Sequence, residues 1–293
     1  MIPAASGGVT GLRAQMFLAA MAGLALRLLF VFRLPSTAGD SDLYLQIGRN
    51  WADHHIFGLW LNGHLTPTDM RVPGYPAFLA AVALLLGRSQ TAILLSQALV
   101  DLLTCFLTAG LASALAPVSA RRRVWIAGLW LSATCPFVAN YTSVVLSEVV
   151  AGFFATGALF CFVLALRATP IEFPFWSRPR SVPPFRLALL GAFLTGIATL
   201  IRPEMPLLLA AGGLIYALRW RERLDLLKIV LHGAALTGVF LIPLAPWAIR
   251  NFVTLREVQI LSPRYATMPD ERAPLGYYSW TRTWLERYRD VYT

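Results

Sequence analysis

Seven long apolar runs, at about 14–34, 91–116, 124–141, 144–166, 187–202, 205–219 and 228–248, constrain this chain more than any other feature. Most approach the ~20 helical residues that cross a hydrocarbon core. Only 14% of the residues are charged, against roughly 25% in a soluble domain, so most helix faces have nothing to offer water. That excludes a cytosolic enzyme and any disordered or fibrous class. The sequence predicts an all-α, polytopic membrane protein.

An eighth run, 74–87, is short for a span and suits an interfacial or re-entrant helix. The count is therefore seven, or eight if that run crosses. Basic residues decide, because cytoplasmic loops are enriched in Arg and Lys. With seven spans, Arg121, Arg122, Arg123, Arg178, Arg180, Arg219, Arg221, Arg223 and Lys228 all fall on one side, the inside. The formal charge of +10 then reflects cytoplasmic loops rather than nucleic-acid binding. The Pro-rich stretch 169–184 cannot be one helix and reads as a cytoplasmic linker. The first run, whose apolar part 16–31 is interrupted by Arg27, is longer than the apolar part of a signal peptide and reads as an uncleaved span. Cys105, Cys135 and Cys161 lie singly in apolar runs, without the spacing of a disulfide framework or a zinc site.

The same arrangement sends the loop 35–90, the turn around 142–147, the Arg202–Glu204 turn and everything after Arg250 to the opposite face. That face collects Asp40, Asp42, Arg71, Glu148, Arg202, Glu204 and Arg250. Ionisable groups at membrane depth are costly and usually line a polar cavity, so their gathering marks a site.

Leu43, Ile47 and Trp51 recur at i, i+4 and i+8, which places a short amphipathic helix along the membrane surface. Asp40 or Ser41 would be its N-cap, and a charged Asp40 there could act as a general base or hold a cation. In Arg71-Val72-Pro73-Gly74-Tyr75-Pro76 the prolines suit a helix start, whose free amides would join Arg71 in a pocket for an anion. Glu148 lies in an apolar setting and needs a cation, a metal, Arg71 or Arg202 to neutralise it. Arg27, Gln97 and Asp101 read as inter-helix hydrogen-bonding groups, and His54, His55 and His64 as solvated loop residues.

Asp40 with Tyr44 four positions on, Arg71-x-Pro-Gly-Tyr-Pro, Leu146-Ser147-Glu148, Arg202-Pro203 and Pro246-Trp247-Ala248-Ile249-Arg250-Asn251 together resemble the polyprenyl-phosphate-sugar-dependent glycosyltransferases of the GT-C fold. The likeness is greatest to the bacterial protein-mannosyltransferase and aminoarabinose-transferase branch. It implies transfer of a sugar, with inversion, from a polyprenyl-phosphate donor to a hydroxyl of a glycan, lipid or protein acceptor, on the periplasmic or exterior face of a bacterial inner membrane. It implies Asp40 as catalytic base, Arg71, Arg202 and Arg250 as donor-phosphate ligands, and Glu148 beside the donor head group or a metal. Asp42, Tyr44, Tyr75 and Glu204 are further candidates. A divalent cation, Mg²⁺ or Mn²⁺, is the one cofactor the resemblance leaves open. It divides the chain into a membrane module at 1–252, holding the outer loop 35–90, and the start of an outer segment at 253–293, as expected of a partial chain. The competing classes are a secondary transporter, which would carry ionisable groups near the midplane on broken helices, and a non-catalytic scaffold for envelope glycan assembly, which would need none of these carboxylates.

Overall fold

The computed structural model describes residues 9–167, 182–222 and 224–262, with 276, 279, 280 and 283 of the remaining tail. Its elements, in chain order, are α1 (Val9–Arg33), α2 (Ser41–His54), β1 (Gly58–Leu61), β2 (His64–Pro67), α3 (Gly74–Leu85), α4 (Gln90–Leu115), α5 (Arg121–Ala133), α6 (Pro136–Asn140), α7 (Glu148–Leu166), α8 (Pro184–Thr199), α9 (Pro206–Trp220), α10 (Leu226–Leu241) and α11 (Ala245–Leu255). The protein is mostly helical, as its long apolar runs lead one to expect.

Three helices among the described residues are long and apolar enough to cross a membrane: Gly11–Arg33 within α1, then α4 and α7. The bent pair α10 and α11 makes a fourth if counted as one broken span. This falls short of the seven or eight expected from run lengths. Hydropathy measures composition, whereas a span also needs an unbroken helix. The run 124–141 is interrupted after the 13 residues of α5, where Pro136 restarts the chain as the short α6. Helices α8 and α9 have 16 and 15 residues, and at 1.5 Å per residue they reach about 24 Å at most, short of a ~30 Å hydrocarbon core. The run 228–248 breaks between Leu241 and Ala245, where Pro243 and Pro246 bend the pair by 52°. Helix α3, with 12 residues, is short as the sequence required. Residues 168–181, which include most of the expected Pro-rich linker with Arg178 and Arg180, lie outside the described residues, as do Arg223 and most of the expected outer segment. Helix α11 carries the chain past residue 252, the boundary set for the membrane module, to Leu255.

Helix α7 packs against α4 and α8; α1 and α5 flank α4, α10 packs on α8, and α9 touches both α7 and α8. Large apolar side chains face outward from this bundle: Phe17 on α1, Leu99 on α4, and Leu207 and Leu214 on α9 are each more than half exposed. Lipid accepts such a surface where water would not. Helices α4 and α7 end together, Arg167 donating to the Ala116 carbonyl at 3.2 Å, and Arg121–Arg123 follow at once. The opposite end of α7 carries Glu148.

The interior is not wholly apolar. Arg27 is fully buried; its Nε donates to Asp101 at 2.8 Å, its Nη1 to the Gly23 and Ala133 carbonyls at 2.8 Å each, and its Nη2 to the Cys105 sulfur at 3.0 Å. Gln97 accepts from the Tyr75 hydroxyl at 2.5 Å and donates to the Val144 carbonyl at 2.8 Å. These are the inter-helix links that a polar residue in a span must make.

Candidate functional site

Two stitches bring distant loops to the end of the bundle that holds Glu148. The Ser36 amide donates to the Ser143 carbonyl at 2.9 Å, in a parallel bridge with Val144, and the Ser41 hydroxyl donates to the Val145 carbonyl at 2.8 Å. The start of α2 is thereby fixed beside the start of α7. On the other side, the Gly74 amide donates to the Leu200 carbonyl at 2.6 Å, which ties α3 to the turn carrying Arg202. A Cβ at Gly74 would sit 2.6 Å from that same oxygen, so only glycine permits the approach. Helix α2 lies on α3 just as closely: a Cβ at Gly48 would meet the Leu79 Cβ at 2.8 Å.

Five expected site residues meet here in three ion pairs. Arg71 donates from Nη2 to the Asp40 carboxylate at 2.7 Å, and Arg202 donates from Nη1 to Glu148 at 3.0 Å and from Nε to Glu204 at 2.5 Å. Tyr44 stands between the pairs. It hydrogen-bonds with the Ser147 side chain, and the Arg71 guanidinium lies 5.9 Å from its ring centre. Burial pushes the Tyr44 phenol above its ordinary pKa, Arg71 and Ser147 pull it down, and the Asp40 and Glu148 carboxylates add to the rise. Its ring packs edge-on against Tyr75 at 5.0 Å, over a core that includes Val145, Val150 and Ile201.

The pairs are incompletely satisfied. The Asp40 side chain is 56% exposed, whereas Arg71 is 19% exposed. The Oε2 of Glu148 is shielded from solvent and accepts no hydrogen bond among the described residues. An orphaned carboxylate oxygen of this kind costs free energy unless a ligand's donor or cation meets it. Burial works against the charge of Arg202, but the Glu204 and Glu148 carboxylates hold its pKa above the ordinary value. Burial likewise opposes ionisation of Glu204, and hydrogen bonds from its own backbone and from Arg202 win, holding that carboxyl below the usual range.

Several expectations need correction. Asp40 occupies the N-cap position of α2, yet its carboxylate makes no capping bond, because Arg71 takes it. The anion pocket expected at the start of α3 is largely spent: the Gly74 amide goes to Leu200, Pro76 has none, and the Ala77 amide goes to the Pro73 carbonyl at 2.8 Å. Tyr75 is fully buried with its hydroxyl on Gln97, so it is a core residue.

Arg250 is not with the cluster either. It clamps a hairpin that sequence reasoning passed over. Strands β1 and β2 pair antiparallel from Gly58 opposite Pro67 to Leu61 opposite His64, across Asn62 and Gly63 at φ 49° and 82°. Asn-Gly between short apolar stretches is the strongest local hairpin signal, and it was there to be used. At the hairpin base Arg250 donates to the Thr68 and Phe57 carbonyls at 2.8 Å each, with Phe57 and Trp247 beneath its guanidinium. Beside it lies an apolar cavity of about 490 Å³ walled by Trp51, Phe57, Pro73, Leu200 and Trp247.

Asp42 stays exposed and borders a second cavity that also takes in Asp40 and Arg71. Among the described residues no three His, Cys, Asp or Glu side chains gather as metal ligands, and Asp40 and Glu148 each face a guanidinium. That donor set does not fit a divalent cation, and the chemistry below is derived without one. No family model, curated protein or solved structure matches the chain.

Proposed function

We propose that the protein is a GT-C-like membrane glycosyltransferase, which moves a sugar from a polyprenyl-phosphate donor to an acceptor hydroxyl on the periplasmic or exterior side of a bacterial inner membrane. The observation that carries this reading is the meeting of Asp40, Arg71, Glu148 and Arg202 around Tyr44, drawn from three segments far apart in sequence. Its supports are the spanning helices and the basic Arg121–Arg123 stretch at the far end from Glu148, which the positive-inside rule turns toward the cytoplasm. The seven-span plan read from the apolar runs would then need α5 with α6, α8, α9 and the broken α10–α11 pair to cross a locally thinned bilayer.

The chemistry asks little of the protein, because a phosphate is already a competent leaving group. The donor phosphate takes the place of Asp40 on Arg71, a bidentate fork suited to phosphate oxygens. This frees the Asp40 carboxylate for the acceptor hydroxyl. As the acceptor oxygen forms its bond to the anomeric carbon, its proton passes to Asp40. The bond from that carbon to the phosphate oxygen breaks, and its electron pair leaves with the phosphate. Arg71 and Arg202 neutralise the charge that develops. Attack from the face opposite the phosphate inverts the anomeric centre, and holding both reactants in place lowers the entropic cost of their meeting.

The test is transfer of radiolabelled sugar from a synthetic polyprenyl-phosphate donor by the purified chain in nanodiscs, with envelope glycan, lipid and protein fractions as acceptors. Label in an acceptor fraction with wild type and none with Asp40→Asn is the expected result. A wild-type chain that neither binds donor nor labels any fraction overturns the reading.

A further inference from the structure

Every charged side chain in the cluster around Tyr44 has a protein partner. A second row beside it does not. Asp42, Gln46 and Arg49 project from α2 at i, i+4 and i+7, within about 60° of one another around the helix. All three line a cavity of about 740 Å³ that also holds Asp40 and Arg71. Among the described residues none of the three makes a side-chain hydrogen bond or an ion pair. The opposite face of α2 is anchored: Tyr44, Ile47 and Gly48 are buried, and Asn50 donates to the Gly58 carbonyl at 2.8 Å. The row is thus presented on a fixed helix, and its position owes nothing to contacts among its own side chains.

The chemistry of the row is selective. A carboxylate only accepts, a guanidinium only donates, and a carboxamide does both. A ligand that answers all three within two helical turns must offer donors and acceptors at close spacing, and adjacent hydroxyls of a sugar ring, each of them both at once, meet that need in any order. A cavity of this size lies within the ~300–1,000 Å³ of ordinary ligand sites. Its apolar walls, Leu43, Leu45 and Met70, can meet the C–H face of a ring, yet a lipid chain would leave Asp42 and Arg49 without partners.

We propose that the acceptor is a hydroxyl-rich carbohydrate, read by Asp42, Gln46 and Arg49 while Asp40 receives the proton of the reacting hydroxyl. This rests on the glycosyltransferase reading and narrows its acceptor to the glycan class. The three are binding residues. They set which acceptor is used and leave the donor side alone.

The test uses the full chain in nanodiscs, fluorescently labelled, on an array of immobilised oligosaccharides printed beside serine- and threonine-containing peptides. Wild type is expected to hold a subset of the oligosaccharides and none of the peptides. Gln46→Ala and Arg49→Ala should each weaken that capture at least tenfold, and Arg49→Lys should restore part of it. Each variant is checked for wild-type melting temperature, so that loss of fold is not read as loss of binding. No oligosaccharide held, peptides held instead, or capture that Gln46→Ala and Arg49→Ala both leave unchanged overturns the proposal. A polyprenyl-phosphate binding assay on the same nanodiscs separates the two claims. Donor bound without glycan capture defeats the acceptor assignment alone, whereas glycan capture without donor binding defeats the glycosyltransferase reading and leaves a carbohydrate-binding membrane protein.

Discussion

Arg27 and Arg71 each face an aspartate, and the two pairs are built for opposite purposes. Arg27 is fully buried, and its Nε, Nη1 and Nη2 all have partners: Asp101, two carbonyls and a sulfur. Arg71 has one carboxylate oxygen and one carbonyl, and its partner Asp40 is more than half exposed. A saturated pair has no capacity left for a ligand, so it joins helices. An unsaturated pair at a cavity edge can exchange its partner for a substrate at little cost.

The largest effect should come from breaking the saturated pair. Arg27→Met leaves Asp101 uncompensated inside the bundle, at a cost of about 3–5 kcal/mol, while Arg27→Met with Asp101→Leu should recover most of it. Thermal unfolding in detergent measures both. A single variant as stable as wild type would mean that Asp101 reaches water and that the contrast with Asp40 is false.

Next comes Asp40→Asn, which keeps a residue suited to an N-cap and should leave folded yield and donor binding near wild type. Turnover should fall at least 100-fold, equivalent to about 2.7 kcal/mol of barrier. Asp42→Asn is the comparison: it should weaken acceptor binding and leave kcat nearer wild type. If Asp42→Asn alone abolishes transfer, the base is Asp42.

Arg71→Ala should weaken donor binding by about tenfold and Arg71→Lys by less, because a point charge keeps part of the phosphate attraction and loses the fork. Its cost to folding should stay under ~1 kcal/mol, since the stranded Asp40 is solvated. Equal donor affinity for wild type and Arg71→Ala would return Arg71 to a structural role. In the hairpin, Gly63→Ala should cost about 1 kcal/mol, because alanine resists the positive φ there.

The smallest effect is the pH response of Glu204. Its carboxyl is held below the usual range in the folded protein, so its contribution to stability is present above the unfolded pKa and is lost as pH falls through the folded one. Half exposure screens the interaction. Melting curves across the acidic range should fall slightly less steeply for Glu204→Gln than for wild type.

The helices α1, α4 and α7 were legible because a predominantly apolar stretch of 19 or more residues without proline has few alternatives to one helix. The runs around 124–141 and 228–248 misled because Pro136, Pro243 and Pro246 break backbone geometry without lowering hydropathy. At the site, Asp40, Arg71, Glu148 and Arg202 could be picked out as costly charges gathered on one face. Which guanidinium would meet which carboxylate could not, because the choice follows from two backbone stitches, Ser36 to Ser143 and Gly74 to Leu200, that leave no mark in residue type. Arg250 looked like another free cation for the same reason: its partners are carbonyls of Phe57 and Thr68, invisible in a sequence. Gln46 and Arg49 could have been found, since they share a helical face with Asp42, but a polar residue on an interfacial helix is ordinarily solvated.

The Gly74–Leu200 contact has a mechanical side. It pins the base of α3, three residues after Arg71, to the end of α8, two residues before Arg202. Two guanidinium groups from segments about 130 residues apart thus rise from backbones joined at one point. For the proposed donor phosphate, the two arginines then hang from one joined backbone rather than from two independent loops, which lowers the entropic cost of bringing both to bear. A bulkier residue at position 74 would wedge that joint open, and the two charges would then act as independent, weaker hands.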